Sequence, residues 1–178
     1  MRNRLIGKQV IYDGKKVRLE LHHLENEETG TRHKREVCVH PGAVVVLPFV
    51  DAENILLIRN RRYAVGETLV ELPAGTLDKG EDPMNCAGRE LIEETGYIAG
   101  RIKLVGDFYT SPGLLSEKMY AFAAYDLTRA KAALEEGEEI EIAPANLDEA
   151  IDMIRYGQIK DAKTIATLLM YDKFFRKG

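Results

Sequence analysis

The chain has little cysteine, no long apolar run and no basic excess, and each shortage removes a class of protein. Only Cys38 and Cys86 occur in 178 residues. Their spacing is not that of a zinc or redox site, and small secreted scaffolds use more cysteine, so two reduced, partly buried thiols are expected. No stretch approaches the roughly 18 apolar residues of a membrane-spanning helix, and the opening MRNRLIGKQV has no signal-peptide core. A soluble cytoplasmic chain with no membrane partner is the expectation. The formal net charge is −4, whereas a grip on a nucleic-acid backbone calls for a basic excess, so nucleic acid is not an expected partner. An anionic small substrate stays open, because a bound divalent metal supplies positive charge locally. His22, His23, His33 and His40 lack the H-E-x-x-H spacing of a metal helix and read as surface or structural groups.

What is present is one domain's worth of core, at 45% hydrophobic composition, with no repeat or Gly/Ser linker. Residues 17–24 alternate apolar and polar as a half-buried strand does, and an Asp-Gly turn signal before them predicts a hairpin over 8–24, followed by a polar loop at 25–31. GAVVVLPFV at 42–50 is a continuous β-branched run, the pattern of a central strand covered on both faces, and ILLIRN follows it. TLVELPAG at 68–75 predicts a short strand ending in a Pro/Gly loop. Asp82-Pro83 predicts a helix start and Gly96 its stop. Strands are expected at 101–109, 118–126 and 138–143. Two helices close the chain, one from 146 to about 157 and one capped by Asp161, with Ile165, Leu168, Leu169 and Tyr171 to Phe175 as its apolar stripe. The mixed order predicts an α+β fold, a mixed α/β/α sandwich, with an N-terminal antiparallel β layer. The expected division is 1–40 for that layer and 41–178 for the main domain.

The most informative stretch is GTLDKGEDPMNCAGRELIEETGY, residues 75–97. Glu90, Glu93 and Glu94 stand at i, i+3 and i+4 and leave one face of the helix, where like charges destabilise it by a few tenths of a kcal/mol per pair. A solvated acidic face would look the same. A hard divalent cation is what such a cluster of oxygen ligands suits. Arg89 is placed to pair with one of these carboxylates, Glu81 to add another, and Gly75 to turn the chain so that the Ala74 carbonyl faces a metal.

The whole pattern weighs more than the three glutamates. Gly75, five residues, Glu81, seven residues, then REXXEEXG from Arg89 to Gly96 and a bulky Tyr97 resembles the full Nudix box. Its fixed positions would coincide by chance with a probability on the order of 10⁻⁵ in a chain of this length. Tyr97 stands where the family usually has a small aliphatic residue. The resemblance implies the Nudix fold and cleavage of a nucleoside diphosphate linked to another moiety, with Mg²⁺ or Mn²⁺. It implies Glu90 and Glu94 as principal metal ligands, Glu93 assisting them and the catalysis, Ala74 offering its carbonyl, and Gly75, Glu81 and Arg89 in support.

Residues outside the box narrow the substrate. TSPGLLSE at 110–117, LVELPAG at 69–75, LIRNRRYAVG at 57–66 and IKDAKTIATLL at 159–169 resemble the ADP-ribose pyrophosphatase branch, over roughly residues 8–175. That branch implies hydrolysis of ADP-ribose to AMP and ribose 5-phosphate by a homodimer that exchanges N-terminal strands. GDP-mannose or ADP-glucose is the nearer alternative substrate, and a non-catalytic ADP-ribose sensor the more distant one. The resemblance places Arg62, Glu71, Pro112, Gly113 and Glu117 at the substrate. An arginine at position 62 suits a bidentate grip on phosphate. The catalytic base is expected from the acidic loop EEGEEIE, with Glu138 preferred and Glu136 and Glu139 behind it.

Overall fold

A computed structural model of the chain describes residues 2–14, 17–131 and 139–176. The chain divides into two compact units, Met1–Gly42 with Tyr109–Lys118, and Ala43–Phe108 with Met119–Gly178.

The first unit holds an antiparallel sheet of order β1-β2-β3, formed by β1 (Asn3–Asp13), β2 (Arg18–Asn26) and β3 (Arg32–Val39). The expected hairpin is present and longer than its sequence signal. The third strand was not expected, because RHKREVCV carries five charged or histidine side chains in its first five positions and shows no alternation. Cross-strand pairing supplies what alternation does not: the Glu25 carboxylate takes Arg4 of β1 and Arg32 of β3, each at 3.0 Å. The turn between β2 and β3 is an Asx turn, with Asn26 Oδ1 accepting the Glu28 and Thr29 N–H groups at 2.9 and 3.0 Å. The SPG segment is fastened to the end of β3, since Cys38 N–H donates to Leu114 O at 2.8 Å and Ser116 N–H to Cys38 O at 2.9 Å.

The second unit is built on β4 (Ala43–Pro48), buried throughout as its apolar run predicts. Its neighbours are β7 (Ala74–Thr76), antiparallel, and β9 (Lys118–Arg129), parallel, with β8 (Tyr97–Tyr109) outside β9. A second sheet has the order β10 (Ile140–Asn146), β5 (Asn54–Arg62), β6 (Glu67–Glu71). The expected strand at 68–75 is therefore two strands, broken at Leu72-Pro73, where proline has no N–H for a ladder.

Because side chains alternate along a strand, β4 faces two cores. Val44 and Val46 pack with Cys86, Ala87 and Leu91 of α1 (Pro83–Thr95). Val45 and Leu47 pack with Leu147 and Ala150 of α2 (Leu147–Arg155) and Leu168 of α3 (Ala162–Phe174). Helices on both faces of mixed strands make the expected α/β/α sandwich. The stripe expected on α3 is corrected: Leu169, Phe174 and Phe175 are exposed, and Thr164 and Thr167 are buried with Leu168. Both threonines satisfy their hydroxyls locally, Thr164 on Asp161 and Thr167 on the Lys163 carbonyl, so they sit in a core at little cost. No helix among the described residues is long and apolar enough to cross a membrane.

Candidate active site

Helix α1 begins and ends where its caps dictate. Asp82 is extended and accepts the N–H groups of Met84 and Asn85, Pro83 occupies the first turn, and Gly96 closes the helix in the left-handed region at φ 69°. The apolar face, Cys86, Ala87 and Leu91, is anchored in the core. That anchoring fixes the azimuth of the acidic face. Glu94 is turned inward, only 4% exposed, and accepts the Ala74 N–H at 2.9 Å. Glu90 lies over Gly75, where an added Cβ would collide with its carboxyl group. Gly75 is thus required for close approach and not for a left-handed backbone.

Arg89 is the counter-cation of the cluster and holds three carboxylates, where the sequence suggested one. Its Nε and Nη2 grip Glu81 at 3.0 Å each, and its Nη1 donates to Glu90 at 2.7 Å and Glu93 at 2.9 Å. Nη2 also reaches the Thr76 carbonyl at 3.3 Å. The fork holds the Glu81 carboxyl down at about 2, far below its ordinary value, and raises the arginine's own pKa. Glu81 also accepts the Asp78 N–H at 2.9 Å and so closes the loop before the helix. Burial pushes the neighbouring Cys86 thiol up to about 12, which makes it an inert core group.

A depressed folded-state pKa stabilises the fold above the unfolded value, and that stabilisation fades as pH falls through it. The Glu81–Arg89 contribution is therefore full above pH 4.5 and lost towards pH 2. Urea unfolding in chelator should show Arg89→Met less stable than the parent at pH 7, with the gap closing between pH 4.5 and 2; a gap independent of pH would contradict the assignment.

Glu90, Glu93 and Glu94 lie on one helix, where Arg89 Nη1 bridges Glu90 and Glu93 while Glu94 turns to the Ala74 N–H. Among the described residues no three acidic, histidine or cysteine side chains converge into a metal-binding group. The donor chemistry nonetheless fits a hard divalent cation: partly buried carboxylates beside a backbone strand that glycine keeps open.

Arg62, at the end of β5, does not stand free. It donates through Nε and Nη2 to Glu71 at 2.8 and 2.6 Å. Glu71, expected at the substrate, is fully buried and holds Arg62 and Lys163. Lys163 is the residue that sequence reasoning missed, 92 positions from its partner. In the first unit, Pro112 and Gly113 form an exposed turn. Glu117 there accepts Thr110 Oγ1 at 2.7 Å and lies 3.5 Å from His40 Nδ1. Glu139 is exposed just before β10, and its carbonyl accepts the Arg61 N–H. Glu136 and Glu138 lie outside the described residues.

A glycine-gated strand end facing a helix that carries its glutamates on one side is the Nudix arrangement, and the chain belongs to the Nudix hydrolase family: the NUDIX domain profile matches residues 39–168. Members of this family generally depend on divalent metals. Among its relatives, the chain is 38% identical over 166 residues to the ADP-ribose pyrophosphatase of Bacillus subtilis (strain 168), covering 92% of this chain and 89% of that protein. It is 36% identical over 162 residues to the methanol dehydrogenase activator of Bacillus methanolicus, covering 90% and 87%. It is 40% identical over 147 residues to the GDP-mannose pyrophosphatase of Cronobacter sakazakii (strain ATCC BAA-894), covering 77% and 76%. The crystal structure of an ADP compounds hydrolase superposes with a TM-score of 0.87 at 22% identity, covering 99% of this chain and 95% of that one, and shares the fold.

Proposed function

We propose that the chain hydrolyses the pyrophosphate bond of ADP-ribose, giving AMP and ribose 5-phosphate. The observation that carries the reading is the glutamate face of α1, where Glu90 lies over Gly75, Arg89 joins Glu90 to Glu93, and Glu94 accepts the N–H of the Ala74 strand end. The 38% identity to an ADP-ribose pyrophosphatase over most of both chains supports the choice of substrate.

Glu90 and Glu94 would hold Mg²⁺ or Mn²⁺, assisted by Glu93 and the Ala74 carbonyl. A cation bound there would supply positive charge against the pyrophosphate and acidify the attacking water. Arg89 holds Glu81, Glu90 and Glu93 in place before substrate arrives, so little reorganisation remains for the reaction. Arg62 grips a phosphate oxygen. A glutamate of the acidic loop, Glu138 before Glu136 or Glu139, takes the proton from water. Pro112, Gly113 and Glu117 line the substrate. The working form is a cytoplasmic homodimer exchanging N-terminal strands, a role suited to the exposed Leu5, Ile6, Val10, Ile11 and Tyr12 of β1.

The test is product analysis with Mg²⁺ across ADP-ribose, GDP-mannose and ADP-glucose. ADP-ribose should be preferred in kcat/KM by at least about tenfold, a difference of some 1.4 kcal/mol in transition-state binding. A preference for GDP-mannose would replace the substrate by that of the Cronobacter relative. Tight ADP-ribose binding without release of AMP would make the chain a sensor.

A further inference from the structure

Glu71 sits wholly inside the second unit, and a buried carboxylate persists only when its charge is compensated. Two cations compensate it from elements far apart in sequence. Arg62 of β5 binds both oxygens through one edge, Nε and Nη2, at 2.8 and 2.6 Å. Lys163, in the first turn of α3, reaches Oε2 at 2.5 Å and Asp161 Oδ1 at 2.8 Å. The other Asp161 oxygen takes the Thr164 N–H at 2.9 Å and the Thr164 hydroxyl at 2.6 Å, and that hydroxyl accepts the Leu72 N–H at 2.8 Å. Two residues on, the Ala74 N–H is held by Glu94 at 2.9 Å. The turn from Glu71 to Ala74 is therefore tied on one side to α3 and on the other to the glutamate helix. Arg62 stays 40% exposed, with Nη1 outside its bonds to Glu71. The hydrogen-bonded Glu71 carboxylate, with a smaller contribution from Glu94, raises the Arg62 pKa.

We infer that Lys163 is a positioning residue for phosphate recognition: it locks Glu71, which fixes Arg62 by one edge and leaves the Nη1 edge for an oxygen of the pyrophosphate. The inference rests on the proposed pyrophosphate chemistry. Without Lys163, Glu71 keeps Arg62 as its one cation among the described residues, follows it in rotation, and holds it by a carboxylate no longer anchored to α3 through that lysine. A planar fork loses its directional advantage when its anchor turns.

A double-mutant cycle on Arg62→Ala and Lys163→Met tests this, with the affinity for inorganic pyrophosphate in Mg²⁺ read by calorimetry and kcat and KM read on ADP-ribose. Lys163→Met should weaken pyrophosphate binding about tenfold, the effect of losing one charge-assisted contact. It should raise KM by a similar factor and change kcat less than about threefold. In the Arg62→Ala background it should add nothing, because its effect runs through Arg62. Should Lys163→Met not fold, Glu71→Gln takes its place in the same cycle, with the same non-additivity expected. Additive effects, an unchanged affinity in the single variant, or no pyrophosphate binding by the parent would each overturn the inference. Intact ADP-ribose alongside non-additive pyrophosphate binding would remove the substrate reading and keep the positioning role.

Discussion

Glu94→Gln should lower kcat on ADP-ribose by about 10²–10³-fold while the protein stays folded, a loss of the size seen when charge stabilisation at a reacting centre is removed. The two halves of this expectation come from different properties of one side chain. Glu94 is buried and accepts the Ala74 N–H at 2.9 Å. A glutamine has the same shape, and its amide oxygen accepts the same bond, so no backbone donor is orphaned. Desolvating a neutral amide is also easier than desolvating a carboxylate. The melting temperature should therefore stay within a few degrees of the parent, since even 1 kcal/mol shifts a domain of this size by only about 2–4 °C. What glutamine cannot do is offer negative charge to a cation. The variant should need more Mg²⁺ for half-maximal rate and remain slow at saturation. Turnover close to the parent at ordinary Mg²⁺ would remove Glu94 from the site.

The helix that carries this residue was legible because each of its boundaries is a local event. Asp82-Pro83 and Gly96 act within a few residues of themselves, and the helix runs over Pro83–Thr95 as they dictate. The central strand at Ala43–Pro48 was legible for a similar reason: a run that is apolar on both faces has few places to go except between two layers. The third strand of the first unit was not, because its opening Arg32 is satisfied by Glu25, which also takes Arg4, a pairing across three strands that no window of sequence contains. The exposed Leu169, Phe174 and Phe175 fail for the converse reason. Apolar residues are counted by a periodicity argument, whereas the helix face is chosen by what its neighbours offer, here the Leu72 N–H for Thr164.

The site divides the same way. Glutamates at i, i+3 and i+4 and an adjacent arginine can be read directly from the box, and the structure places Arg89 against Glu81, Glu90 and Glu93. That Glu71 lies behind Arg62 and not at the surface depends on Lys163 arriving from the other end of the chain. Local spacing carries the chemistry of the glutamate face, and long-range contacts decide how substrate-facing groups are aimed.

Gly75→Ala separates aim from fold most sharply, and about 10²-fold loss of kcat with a near-parental melting temperature is expected. A methyl group at this position would overlap the Glu90 carboxyl, and no backbone atom stands among its nearest contacts. The obstacle is the far end of a flexible side chain, which can rotate aside. The glycine does not occupy the left-handed region, so alanine meets no dihedral penalty there. Alanine also leaves the unfolded chain less conformational freedom, which offsets part of any strain. The displaced carboxylate is another matter. Glu90 is held by Arg89 at 2.7 Å, so pushing it away moves a proposed metal ligand and loosens the arginine that also fixes Glu81 and Glu93. A misplacement of about 1 Å at a reacting centre can cost 10²-fold. Thermal melts and steady-state kinetics on the same preparation decide the matter. Full activity would mean that Glu90 works from a different rotamer, and a collapsed melting temperature would mean that Gly75 serves the fold before the site.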